Sequence, residues 1–180
     1  MIVDIEVRDQ AYQFFMQESL ELLQTIETGL LTLRADQSTP KIHALMRAAH
    51  SIKGSAASLD LESIAKLAHR LEDIFRALYT QTDEIDAALE EELLQAFDCL
   101  RSPLVEQVQT GQHDPVLALR RGEAIFAMLE SRLAEALQAT TALPTAAELG
   151  VDIVLVVFSG DVEEGLTRLE QVLKHPETAE

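Results

Sequence analysis

The sequence predicts an all-α fold, an antiparallel up-and-down helical bundle, and three features point to it. Alanine and leucine dominate an apolar fraction of 47%, while Phe, Tyr and Trp together reach only 4%, a balance that suits packed helices better than sheet. Apolar residues return every three or four positions through most of the chain, which lays them along one side of a helix. Short polar breaks carrying Pro, Gly or Asp separate these stretches, and short connections make consecutive helices antiparallel neighbours.

From about Val7 to Leu33, Phe15, Leu22, Ile26, Leu30 and Leu33 recur at helical spacing with Glu18, Glu21 and Glu27 between them. This predicts a long first helix. Ala35 to Thr39 is polar, and Pro40 suits a first helical turn, where its missing N–H would have had no partner. The second helix then runs to about Ser58, with Ile42, Leu45, Ala49, Ile52 and Ala56 as its apolar stripe. Leu59 and Asp60 turn the chain, and Asp60 is placed to cap a third helix. Leu61, Ile64, Leu67, Leu71, Ile74, Phe75 and Leu78 form the buried stripe of that helix.

Thr82 and Asp83 are the expected caps of a fourth helix, with Ile85, Leu89, Leu93, Phe97 and Leu100 inward. Its acidic run, Glu90 to Glu92, should face mostly outward as a solvated surface. Pro103 should kink or interrupt this helix, with Ser102 able to cap a restart, and Gly111 ends it. Asp114 and Pro115 then read as cap and first turn of a fifth helix carrying Leu119, Ile125, Leu129, Leu133 and Leu137. The bundle is thus assigned to residues 1–139, and TTALPTAAELG, residues 140–150, to a linker. Val151 to Phe158, VDIVLVVF, reads as a strand, and Asp161 caps a short helix with Leu166, Leu169 and Val172. A strand and a helix alone cannot bury a continuous apolar strand. Residues 151–180 therefore either dock on the bundle or start a further domain, and the second reading is favoured.

The 180 residues suffice for one sizeable core. With 14 Lys plus Arg against 31 Asp plus Glu, the net charge is -17, which argues against nucleic acid or an anionic membrane as partner. The charge is uneven, since Lys41 to Arg76 holds six basic residues against four acidic ones. The single cysteine, Cys99, sits among apolar helical positions and reads as an ordinary core thiol, which fits a reducing compartment. The opening MIVDIEVRDQ has no basic start followed by an apolar run, and no later stretch approaches the ~18 apolar residues that span a bilayer. A cytoplasmic location is expected.

The segment Arg47 to Ser58, RAAHSIKGSAAS, places His50 on the flank of the second helix, about 120° from the centre of its apolar stripe. That histidine should face water. Lys53 follows three residues on along the same flank, and Gly54 removes the side chain that would stand beside the ring. Glycine in mid-helix costs about 1 kcal/mol relative to alanine, so packing explains this triplet poorly and close approach of a partner explains it well. The third helix carries His69 and Glu72, again three apart and off the apolar stripe. If the two helices pack antiparallel, Glu72 comes alongside His50 and accepts from one ring nitrogen, leaving the other as a lone pair toward solvent. A neutral, oriented imidazole is a nucleophile toward a phosphoryl group, Lys53 would offset the incoming charge, and Glu72 would stabilise positive charge on the ring.

AAHSIKGSA followed by LAHRLE strongly resembles the histidine phosphotransfer (HPt) domain, in the form found at the amino terminus of the chemotaxis kinase CheA and related hybrid kinases. The resemblance covers about Tyr12 to Ala139. It implies a four-helix HPt bundle plus a fifth helix, with His50 as phospho-acceptor, Glu72 as its hydrogen-bond partner, and Lys53 and His69 as polar surround. It further implies a histidine kinase catalytic domain as donor and a response-regulator receiver aspartate as acceptor, in a longer parent protein. Mg²⁺ and ATP would then be supplied by the partner domains, with no cofactor in this chain. The turn AASLDL departs from relatives, which often carry glycine and an aromatic residue there.

Other readings compete at single residues. Lys53 alone could be a solvated lysine whose stem covers apolar surface, and His69 a helix-boundary histidine. His43, His113 and His175 read as ordinary surface residues. No zinc-protease His pair and no cysteine cluster suggests a metal site, and no GxxxxGK[ST] loop suggests an ATP site. A phosphotransfer-inactive docking bundle is the alternative function, although such a module would be expected to have lost its histidine or glutamate. The locally basic face, through Arg47 and Arg76, is expected to steer an acidic receiver site toward His50.

Overall fold

The computed structural model describes residues 2–80 and 84–142, with side-chain surroundings for 12–80 and 84–139. The chain divides into two compact units, Met1–Thr140 and Thr141–Glu180, and the helical bundle belongs to the first. Six helices follow one another: α1 (Ile2–Leu31), α2 (Thr39–Ser58), α3 (Glu62–Thr80), α4 (Ala87–Thr110), α5 (Pro115–Arg132) and α6 (Ala134–Ala142). The antiparallel bundle expected from the sequence is the fold observed. α1 packs on α2 and α4, α3 packs on α2 and α4, and α5 lies along α3 and α4.

Direct contacts fix the helix directions. Tyr12 in the first half of α1 meets Gln107 near the end of α4, while Lys41 at the start of α2 meets Thr32 just past the end of α1. The α1–α2 approach is close because Gly29 has no side chain: a Cβ there would fall 2.6 Å from Leu45 Cδ2. Gly122 does the same for α5, where a Cβ would fall 2.9 Å from Leu67 Cδ2 of α3. Phe15, Phe75, Phe97 and Phe126 are the largest fully buried side chains, each contributing roughly 1.5–3 kcal/mol of burial. Phe126 belongs to no stripe counted from the sequence. It is covered by the guanidinium of Arg70, 4.7 Å from the ring centroid, which also donates to Glu130 at 2.7 Å.

Several expected details are corrected. In α1 the buried position is Leu23 and Leu22 is only partly buried, with Ser19 also inside, because the face toward α2 and α4 turns with the helix. The cap of α4 is Asp86, whose carboxylate accepts from Leu89 N–H at 2.7 Å; Thr82 and Asp83, the expected caps, lie outside the described residues. Glu90 and Glu92 are largely covered, paired with Arg34 and Arg132, and only Glu91 of the acidic run is fully outward. α4 runs through Pro103 without a restart at Ser102. Proline cannot donate to the carbonyl one turn back, but its buried ring keeps the helix seated on the core.

The expected fifth helix is two, broken at Leu133, and α6 continues to Ala142, into the stretch read as linker. The remainder of that linker and the strand–helix segment 151–180 lie outside the described residues. His113 is not an ordinary surface residue. Its Nδ1–H donates to Gln107 Oε1 at 2.6 Å and its Nε2 accepts from the Ser63 hydroxyl at 2.6 Å, and burial lowers its pKa. The α2–α3 turn uses Asp60 at φ 61°, a left-handed conformation that aspartate tolerates better than most residues. No helix among the described residues is long and apolar enough to cross a membrane.

The start of α5 is set by Asp114, whose carboxylate accepts from Val116 and Leu117 N–H, both at 3.0 Å, with Pro115 in the first turn. Asp114→Ala is expected to lower stability by about 1 kcal/mol, and Asp114→Asn by much less, because asparagine caps equally well. Urea unfolding of the two variants checks this; equal losses would show that the cap does not hold α5.

Candidate functional site

The site lies where α2 and α3 face each other. α2 buries Ile42, Leu45, Ala48, Ala49, Ile52 and Ala56, which leaves His50, Lys53 and Gly54 toward its outer flank. The His50 side chain is 65% exposed. α3 has a broader buried face, and that face includes Glu72, whose side chain is only 6% exposed. From α3 the Glu72 carboxylate reaches across to α2. Oε1 accepts from His50 Nδ1–H at 3.1 Å, and Oε2 accepts from Lys53 Nζ at 2.7 Å. A carboxylate can only accept, so Nδ1 carries the proton of this hydrogen bond, and in the neutral ring Nε2 keeps its lone pair.

A third donor shares the carboxylate. Arg76, one turn further along α3, places Nη2 2.9 Å from Glu72 Oε1 and Nη1 2.6 Å from Asp73 Oδ1. Burial works against ionisation of Glu72, but the hydrogen bonds from Lys53 and His50 outweigh it and hold the carboxyl below its usual range. The ion is therefore kept charged by its neighbours although water has nearly been removed from it.

Of the residues expected at the site, His50, Lys53 and Glu72 are brought together. His69 is placed beside them but pairs with Asp73 at 3.4 Å, reaching neither His50 nor Glu72. Arg76, expected as a docking cation, is paired with Glu72 and Asp73, whereas Arg47 is exposed. Gly54 meets nothing: a Cβ built there has no heavy atom within 4 Å. No helix contact requires the glycine, unlike Gly29 and Gly122. Among the described residues no group of three or more His, Cys, Asp or Glu is arranged to hold a metal ion.

Residues 10–103 match the model of the Hpt domain. The chain is a member of the Hpt-domain family. The matched span of this Hpt domain takes in both His50 and Glu72 and ends within α4. The chain is 30% identical over 108 residues to the chemotaxis protein CheA of Borreliella burgdorferi, covering 59% of this chain and 12% of that protein. It is 32% identical over 104 residues to CheA of Bacillus subtilis, covering 57% of this chain and 15% of that protein. It thus spans a small amino-acid fraction of the curated relatives it matches. Among solved structures it resembles the phosphorylated P1 domain of CheA3, in complex with CheY6, from R. sphaeroides. The TM-score is 0.59 at 26% identity, covering 71% of this chain and 98% of that one.

Sequence reasoning on this Hpt domain named Arg76 for docking and not as a partner of Glu72, and it missed Asp73. Both were visible as helical neighbours, Arg76 four residues after Glu72 and Asp73 four after His69, a spacing that brings side chains together. Two outcomes follow from the geometry. Gly54→Ala should raise stability by about 1 kcal/mol, the helix-propensity difference with no packing cost; an unchanged or lowered urea midpoint would show that the fold itself needs the glycine. Glu72, with its folded pKa depressed below 4.5, contributes stability that is complete above that value and is lost as pH falls through the folded pKa. Glu72→Gln should therefore flatten the acid limb of stability against pH. Part of that limb remains, because Asp36 and Asp86 are held low as well. An unchanged acid limb would contradict the assignment.

Proposed function

We propose that this chain is a phosphotransfer module of a two-component phosphorelay, with His50 as the residue that carries the phosphoryl group. One observation carries the reading. An exposed imidazole is held by a buried carboxylate through Nδ1, which leaves Nε2 of the neutral ring with its lone pair. The Hpt family and the likeness to the P1 domain of CheA3 support it.

In the first step His50 Nε2 attacks the terminal phosphorus of ATP held by a histidine kinase catalytic domain. The N–P bond forms as the bridging P–O bond breaks, and ADP leaves. The Nδ1 proton stays where it is, so the ring becomes positively charged, and the Glu72 carboxylate stabilises that charge from within hydrogen-bonding distance. In the second step His50 gives the phosphoryl group to a carboxylate oxygen of an aspartate on a response-regulator receiver, and the electron pair of the N–P bond returns to Nε2. Positioning and electrostatics suffice for such transfers, because little covalent chemistry is asked of the protein. ATP and Mg²⁺ arrive with the partner domains. Gly54 leaves room for them beside His50, and Arg47 adds positive charge on the same helix for an acidic receiver site. We read the chain as the amino-terminal part of a cytoplasmic CheA-like histidine kinase, supported by its relatives.

Phosphorus NMR of the chain treated with phosphoramidate tests the acceptor without any partner. An acid-labile phosphohistidine signal is expected, and it should vanish in His50→Gln. A chain that takes up no phosphoryl group, or a signal that survives the substitution, overturns the reading and favours a phosphotransfer-inactive docking module.

A further inference from the structure

Glu72 Oε1 serves two donors at once, and the second of them has no part in the scheme above. His50 Nδ1 stands 3.1 Å from this oxygen and Arg76 Nη2 2.9 Å. Arg76 is not a side chain that swings freely to reach it. Its other terminal nitrogen is held 2.6 Å from Asp73 Oδ1, and Asp73 Oδ2 in turn faces His69 Nε2 at 3.4 Å. The remaining oxygen of Glu72 is drawn the other way, to Lys53 at 2.7 Å. The carboxylate is thus pinned by a cation at each oxygen, Lys53 from α2 and Arg76 from α3, with its plane fixed between them.

We propose that Arg76 is a positioning residue that keeps Glu72 Oε1 against His50 Nδ1 and thereby fixes the Nδ1–H tautomer of the acceptor ring. The inference rests on the phosphotransfer reading for its purpose, though not for its geometry. An unconstrained neutral histidine side chain in water favours the other tautomer, with the proton on Nε2. That proton would occupy the lone pair that has to attack phosphorus. A hydrogen bond at Nδ1 selects the productive form only while an acceptor stays in place there. Without Arg76, Lys53 is the sole cation on the carboxylate, which is free to rotate and offer both oxygens to it. His50, two-thirds exposed, then exchanges its Glu72 hydrogen bond for water. Because the bond from Arg76 spans one helical turn, the clamp is built within α3 and survives small movements of α2.

The test reads the ring nitrogens of His50 directly in the full ¹⁵N-labelled chain, by long-range ¹H–¹⁵N correlation above the titration range of histidine, at about pH 8. The unmodified chain should show the Nδ1–H tautomer, Arg76→Gln a major share of Nε2–H, and Arg76→Lys a near-complete return to Nδ1–H, since lysine four residues on can still reach the carboxylate. Backbone amide shifts away from α2 and α3 should be the same in all three, which separates positioning from loss of fold. Initial phosphorylation by phosphoramidate should fall in Arg76→Gln by about two- to fivefold, following the lost Nδ1–H population. An Arg76→Gln chain that keeps the pure Nδ1–H pattern overturns the proposal, as does a parent chain already in the Nε2–H form. If the tautomer follows the prediction but no chain takes up a phosphoryl group, the role of Arg76 stands and the phosphotransfer reading falls.

Discussion

The structure around His50 depends on one buried negative charge. Removing a carboxylate from water costs several kcal/mol unless it is paired with good geometry and its oxygens are satisfied. Glu72 meets that condition with three donors on two oxygens. Each donor is tied to the backbone by a different element of the pattern. His50 and Lys53 occupy successive turns of one helix flank, and Arg76 sits a turn beyond Glu72 on the other helix. The apolar stripes that bury Ile52, Leu71 and Phe75 set how closely those flanks approach. Packing therefore dictates a spacing at which an ionised carboxylate can be both dehydrated and useful.

Charge balance gives the arrangement a second quality. Lys53 and Arg76 face Glu72 and Asp73, so the fixed charges around the imidazole cancel. A group that adds positive charge to the ring finds the carboxylate already aligned, and nothing has to reorganise when that charge appears. Preorganisation of this kind is more effective in a partly dehydrated site than in water.

The bundle and the heart of the site were legible in the sequence, because helical periodicity and two short motifs carry both. The stripe of α2 was read with Ala48 missing, while α3 buries Ser63, Ala68, Glu72 and Ala77 beyond the stripe expected for it; the meeting of His50 with Glu72 followed from packing those stripes antiparallel. What was missed lay where tertiary contacts overrule local signals. Asp86 caps α4, with its carboxylate at hydrogen-bonding distance from Leu89 N–H, although the sequence offers Thr82 and Asp83 just before it. Pro103 does not interrupt α4, since a ring buried in the core offsets one absent hydrogen bond. His113 looked like any surface histidine until Ser63 of α3 and Gln107 of α4 closed on its two nitrogens; partners separated by 50 residues in one case leave no periodic trace. Arg76 was visible as a cation but was counted as surface charge, because helical spacing shows which neighbours are near and not which one is buried.

Among the described residues, the groups that hold His50 come from α2 and α3, with no more than 22 residues between the ring and its carboxylate. The site is consequently a property of one helical hairpin, whose contacts are local and form early at little cost in loop closure. It is also a measure of register. Sliding α2 along α3 by a single turn, about 5.4 Å, would carry the imidazole past Glu72 and leave the carboxylate buried without its ring. The outer helices act on the chemistry only by fixing that register: Gly29 seats α1 against Leu45, and Arg70 ties α3 to Glu123 and Glu130 of α5. Seen this way, the remainder of the bundle is a vernier that keeps two short motifs aligned.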